Sequence, residues 1–230
     1  MINEIRLTIS FLSRLPIGGS GDMRHTTRYF TVVGYLSGFL YMFLKGISSN
    51  LLWQILSIVI GFYFFDLFHF DGLLDTFDGF FYQGDEKKRM EIMSKGNIGP
   101  FAVFFAFFFC AAYLYAFVKT EAIALIYMGV FGRFSMNILM NISRPAKEKG
   151  LGSLFYPYDT KNTFWSLAFT APLIFNLKFY LASITIAFLA ALIMKLLTEK
   201  KIDGYTGDVL GATCLLSQLF IISVPIFLEK

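Results

Sequence analysis

Apolar stretches close to membrane-crossing length, separated by short polar blocks, fill most of the chain. They fall at 29–44, 51–68, 98–118, 121–142, 163–176, 178–197 and 208–228. A helix needs about 20 mostly apolar residues to cross a bilayer. The pattern therefore predicts an all-α, polytopic integral membrane helical bundle of about seven transmembrane helices, the first and fifth being the shortest. The breaks are legible: Lys45 to Asn50, then "GDEKKRMEIMSKGN", "SRPAKEKGLGSLFYPYDTKN" and "EKKIDGYTG". None is long enough to fold alone, so residues 1–230 are read as one membrane-embedded domain.

Composition agrees, with 56% of residues hydrophobic and 16% charged, where soluble domains carry about a quarter charged. The net charge of +4 would hint at nucleic acid in a soluble protein. Here its distribution explains it. With the N-terminus inside, the inner segments hold Arg6, Arg14, Arg24, Arg28, the Lys87–Lys95 block, Arg144, Lys147, Lys149, Lys161, Lys195, Lys200 and Lys201. The opposite side holds only Lys45, Lys119, Lys178 and Lys230, and Arg133 lies within a span. Lys and Arg in short loops set orientation. The chain is thus expected to be a multi-pass protein of the cell membrane with a cytoplasmic N-terminus and no nucleic-acid partner. The opening "MINEIRLTISFLSRLPIGG" has charges inside its apolar run and reads as an uncleaved amphipathic entry. Cys110 and Cys214 lie in apolar segments without CxxC spacing and read as small buried apolar residues.

This orientation puts every chemically rich segment on the cytoplasmic side. In "FHFDGLLDTFDGFF", residues 68–81, Asp71, Asp75 and Asp78 recur at helical spacing and fall within about 60° on one face. Three like charges among phenylalanines need compensation. A divalent cation supplies it, since Mg²⁺ binds through carboxylates together with substrate phosphates. The bland alternative is a solvated acidic helix end. His69 is adjacent and alone reads as an interfacial histidine; Asp66, one turn deeper, reads as an outer partner or a residue near the interface.

Arg133, Asn137, Asn141 and Arg144 form one helical stripe on the fourth span. A charge inside a span faces the bundle interior or a watery cavity. A fixed cation turned toward the aspartates would suit a phosphate, whereas the asparagines alone fit interhelical hydrogen bonding. "RPAKEKGLGSLF" offers Arg144, Lys147 and Lys149 before flexible glycines, a pattern an ordinary basic loop would share. In "IDGYTGDVLGA", Gly204, Gly207 and Gly211 permit close backbone approach. Asp208 there sits at a helix N-terminus, as a cap or as a second acidic element of the site.

Five of these motifs, in order over nearly the whole chain, resemble the cobalamin synthase family, the adenosylcobinamide-GDP ribazoletransferases. They are "FLSRLPI", "HFDGLLDTFDG", "RMEIMSKGNIGPFAV", "SRPAKEKGLGSLF" and "GYTGDVLGA". The resemblance implies a catalytic membrane domain that joins adenosylcobinamide-GDP to α-ribazole, or its 5′-phosphate, and releases GMP. It implies Mg²⁺ held by Asp71, Asp75 and Asp78. Arg133, Arg144, Lys147, Gly207 and Asp208 would contact the substrate, and one carboxylate or His69 would take the hydroxyl proton. Membrane lipid is an expected partner, and a homo-oligomer is left open. Lys95 and Asn97 stand where the family usually carries an acidic motif, and Gln218 where it often has Glu; Asp66 or Asp85 would have to replace any ligand lost there. Two other classes share some features. CDP-alcohol phosphotransferases also use aspartates and Mg²⁺, but their D-G-x-x-A-R core is absent after Asp71-Gly72. A cation carrier would place its acids near the bilayer midplane, not at one edge.

Overall fold

The structure, a computed structural model, describes residues 1–228 and is mostly helical, with no named strand among them. The helices are α1 (Ile2–Leu12), α2 (Met23–Ile47, containing one 3₁₀ turn), α3 (Leu51–Phe81), α4 (Glu86–Ser94), α5 (Pro100–Lys119), α6 (Ala124–Ile142), α7 (Thr160–Ala168), α8 (Leu177–Ile202) and α9 (Gly207–Leu228). By length and composition α2, α3, α5, α6, α8 and α9 can each cross a membrane. Lys230, expected on the far side, lies outside the described residues.

Helix α6 is the hub, buried along 89% of its apolar window. Lipid is as apolar as a leucine side chain, so helices in it associate through close backbone approach and polar contacts. Gly34 and Gly38, a GxxxG pair on α2, supply that approach. A Cβ at Gly34 would sit 2.5 Å from the Gly129 carbonyl oxygen, and one at Gly38 would sit 2.6 Å from Ile126 Cα. Helix α5 turns Phe104, Phe107 and Phe108 outward, as a lipid-facing surface requires. Cys110 is exposed on this same helix, contrary to its reading as buried, while Cys214 is buried.

The predicted span 163–176 is not one long helix. It is α7 followed by a 3₁₀ helix, Ala171–Phe175, with Pro172 in its first turn. Proline cannot donate to the preceding turn. The carbonyls freed near this break are met by neighbours: Thr31 Oγ1 donates to Ser166, Tyr35 OH to Phe169 and Tyr127 OH to Leu173, at 3.0, 2.9 and 2.6 Å. Broken helices are tolerated at membrane depth when protein groups satisfy the backbone.

The second predicted span, 51–68, continues without interruption to Phe81, so the aspartate motif rides on the same 31-residue helix as the apolar stretch. Residues Phe62–Asp66 form a π-helical turn within it. Such turns are rare and recur at functional sites. Two arginines meet its carbonyls. The Arg14 backbone N–H donates to Phe64 at 2.8 Å and Arg133 Nη2 donates to Phe65 at 3.2 Å.

Candidate active site

Helices α3 and α9 cross through glycine. A Cβ at Gly72 would lie 2.7 Å from Asp208 Cα, and one at Gly211 would lie 2.9 Å from His69 Cα. No other residue fits either position without moving a backbone. The crossing sets Asp208, in the first turn of α9, beside the aspartate face of α3. Asp75 is half-buried and lies within reach of the charges of Asp208, Asp71 and Asp78. Asp71 is exposed. The Asp208 carboxylate accepts from Thr206 Oγ1 at 3.1 Å, and the same hydroxyl accepts from the Val209 N–H at 3.3 Å.

Asp78 shares this face but has another task. Its carboxylate accepts from the Gly99 and Ala102 N–H groups at 2.6 and 2.9 Å, and it is 5% exposed. Those are orphan donors at the start of α5, whose own N-cap, Gly99, has no side chain to offer. Of the expected trio, Asp78 thus has both oxygens engaged by backbone N–H groups, while Asp71 and Asp75 stand beside Asp208. Asp85, a reserve candidate, caps α4 by accepting from the Lys88 N–H at 2.8 Å and stands apart.

The basic loop closes over the same end. Tyr205 N–H donates to Arg144 C=O at 2.8 Å and Ala146 N–H donates to Tyr205 C=O at 2.9 Å, tying residues 144–146 to the entry of α9. Gly152 packs on Thr206 and Gly207, and Gly207 packs on Leu151. Between loop and helix lies a cavity of about 280 Å³, lined in part by Lys147, Lys149, Gly150, Gly152, Gly207 and Asp208. Lys147 is close enough to act on the Asp208 charge. Arg144 donates to both oxygens of Asp203 at 2.7 and 2.8 Å. That contact holds its guanidinium protonated even more firmly than usual. It borders a second cavity of about 500 Å³ shared with Lys147 and Tyr156.

Arg133 and His69 are elsewhere, which corrects two expectations. Arg133 is fully buried and donates to Asp66 Oδ1 at 3.0 Å. Asp66 also accepts from Tyr41 OH at 2.9 Å and Gln218 Nε2 at 3.1 Å, and His69 Nδ1 lies 3.2 Å from its Oδ1. His69 is three residues from Asp66 and two from Asp71. At about 100° per residue it faces inward with Asp66, while Asp71 and Asp75 face away. Neither Arg133 nor His69 is brought to the aspartate face.

Asp66, His69 and Cys214 hold ligand atoms within 4.8 Å of one another, the one group of three such residues that does so among the described residues. It is closed to a metal ion. Arg133, Tyr41, Gln218 and His69 already surround the Asp66 oxygens, and a second cation would face the guanidinium. Isolated charges in two apolar spans, Asp66 and Arg133, were the sequence signal for this pair.

The fold and site define a polytopic membrane protein with carboxylates from two crossing helices gathered at one end beside a lysine-bearing, glycine-rich loop. The chain belongs to the cobalamin-5-phosphate synthase family, whose model matches residues 4–226. A relative from Kosmotoga olearia is 55% identical over 96% of this chain and 97% of its own length. One from Thermosipho melanesiensis is 44% identical over 95% and 96%, and one from Clostridioides difficile 31% over 93% of each. All three are named adenosylcobinamide-GDP ribazoletransferase. No solved structure matches.

Proposed function

We propose that this protein joins adenosylcobinamide-GDP to α-ribazole, or to its 5′-phosphate, and releases GMP, at a site on the cytoplasmic face of the cell membrane. The observation that carries the site is the crossing of α3 and α9, which sets Asp208 beside Asp71 and Asp75 next to Lys147. Family membership supports the substrates. The one-sided distribution of Lys and Arg supports the orientation.

The donor set suits Mg²⁺. Asp71, Asp75 and Asp208 offer only hard carboxylate oxygens, with neither thiolate nor imidazole on that face, and their mutual repulsion is relieved by a divalent cation. When bound, the ion would neutralise charge on the pyrophosphate. The remaining work falls to the chain. Lys147 and Lys149 attract the anionic substrate to the cavity. The glycines of the loop and of the α9 entry let its phosphates approach backbone N–H groups. The ribazole 3′-hydroxyl oxygen forms a bond to the cobinamide-linked phosphorus while the bond from that phosphorus to the GMP oxygen breaks. The hydroxyl proton passes to an aspartate of the cluster, and GMP leaves as the anion. Positioning and charge neutralisation dominate such transfers.

Purified protein supplied with adenosylcobinamide-GDP, α-ribazole and Mg²⁺ should release GMP, and omitting the acceptor should stop it. Protein that retains its fold yet releases no GMP would remove this reading.

A further inference from the structure

Arg14 is a cation to which the site described above gives no role. Residues 13–21 fold back along α1: Arg6 donates to the Ile17 carbonyl at 2.8 Å, Ser10 Oγ to Gly18 at 3.3 Å, and Gly19 packs on the Leu7 backbone. Arg14 stands at the tip of this hairpin, where its N–H is bound to the π-turn carbonyl of Phe64. Its guanidinium lies over two rings, 4.7 Å from the centroid of Tyr63 and 5.6 Å from that of Phe68. It is exposed, and among the described residues no ion pair or side-chain hydrogen bond engages it.

Those rings belong to the face that carries the acids. Relative to Phe68, Asp71 is turned by about 60° and Asp75 by about 20°, and Asp71 lies about 4.5 Å further along the axis. This face is open, with Tyr63 and Phe68 52% and 65% exposed, whereas Asp66 and Leu73 on the opposite side are fully buried. The exposed Arg14 guanidinium, stacked on these rings, leaves its N–H groups free to meet an anion on the open side of α3. Its backbone anchor and two-ring stack hold it in place, unlike a long side chain free to reach the interface. The planar fork is held over Phe68, one helical turn before Asp71 on α3, and such a fork matches a phosphate oxyanion, which takes two N–H groups at once.

We propose that Arg14 is a substrate-binding residue that holds a phosphate of the pyrophosphate donor, in the place that Arg133 does not fill. The inference rests on the function proposed above. Arg14→Gln and Arg14→Lys both keep the N–H that binds Phe64, so the hairpin should stay folded. In phosphatidylcholine nanodiscs, Arg14→Gln should raise the KM for adenosylcobinamide-GDP about 10- to 100-fold. The KM for α-ribazole and the melting temperature should not change, and Arg14→Lys should recover part of the loss. Direct titration with inorganic pyrophosphate and Mg²⁺ should weaken in parallel, a readout that survives if the natural substrates are other than proposed. A wild-type KM and wild-type pyrophosphate binding in Arg14→Gln would overturn the assignment. A defect seen only when phosphatidylglycerol is added would also overturn it, by making a lipid headgroup the phosphate that Arg14 meets.

Discussion

Replacing Arg133 with Leu removes three hydrogen bonds at once: to Asp66 at 3.0 Å, to Phe65 C=O at 3.2 Å and to Gly129 C=O at 3.3 Å. It also leaves the Asp66 carboxylate fully buried without its cation, facing only Tyr41, Gln218 and His69. Breaking a buried pair on one side costs about 3–5 kcal/mol, because the surviving charge is stranded. Polar contacts in bilayers are often worth less, since the unfolded helices also find partners. The lower figure, about 3 kcal/mol, would lower the melting temperature of a chain this size by about 6–12 °C. Asp66→Leu should do the same. The double variant Asp66→Leu/Arg133→Leu should lose much less than the sum, because apolar groups of similar volume replace a buried pair at little net cost. Thermal unfolding in detergent, followed through Trp53 and Trp165, measures all three. Single variants that melt like the wild type, or a double variant at the additive sum, would refute the pairing. A stable Arg133→Leu protein without turnover would return Arg133 to the substrate.

Three further outcomes follow from the same geometry. Asp71→Ala should lose more than 100-fold in turnover at an unchanged melting temperature, whereas Asp78→Ala should lower stability by about 1–2 kcal/mol by uncapping α5, visible as earlier melting. Gly72→Ala should push α3 from α9 and abolish turnover through misplacement; normal activity in that variant would show that the contact at Asp208 is not needed. Single cysteines in a cysteine-free background at Ser153 and Lys178 should label from opposite sides of sealed vesicles, with Ser153 reached only from the cytoplasmic side; the reverse pattern would invert the orientation.

Much of this was legible in the sequence because helix periodicity fixes which residues share a face. The aspartate face of α3 and Asp208 at the start of α9 both follow from spacing and from the "GYTGD" entry. Periodicity does not reveal what packs against a face. Asp78 shares the face of Asp71, yet it is taken by the start of α5, 21 residues further on. The Gly99-Pro100 pair announced a helix start lacking a capping side chain, and that was the available clue. A buried cation near acids fits a phosphate, which is why the sequence points Arg133 toward the aspartates. The simpler bookkeeping, one lone Asp and one lone Arg in apolar spans, pointed to the pair that forms. The fifth span failed as a single helix because composition does not weigh Pro172 among Ser166, Thr170 and Asn176, whose neighbourhood lets polar groups from α2 and α6 meet the freed backbone.

The central claim is that α3 and α9 build one metal–phosphate site. It is tested most directly by GMP release across a Mg²⁺ titration for wild type, Asp75→Asn and Asp208→Asn, each checked for an unchanged melting temperature. The site predicts release that disappears without the metal, and a fall of more than 100-fold, or a sharply raised Mg²⁺ requirement, in both variants. An Asp208→Asn protein with wild-type release at wild-type Mg²⁺ would show that α9 contributes no ligand and would contradict the account.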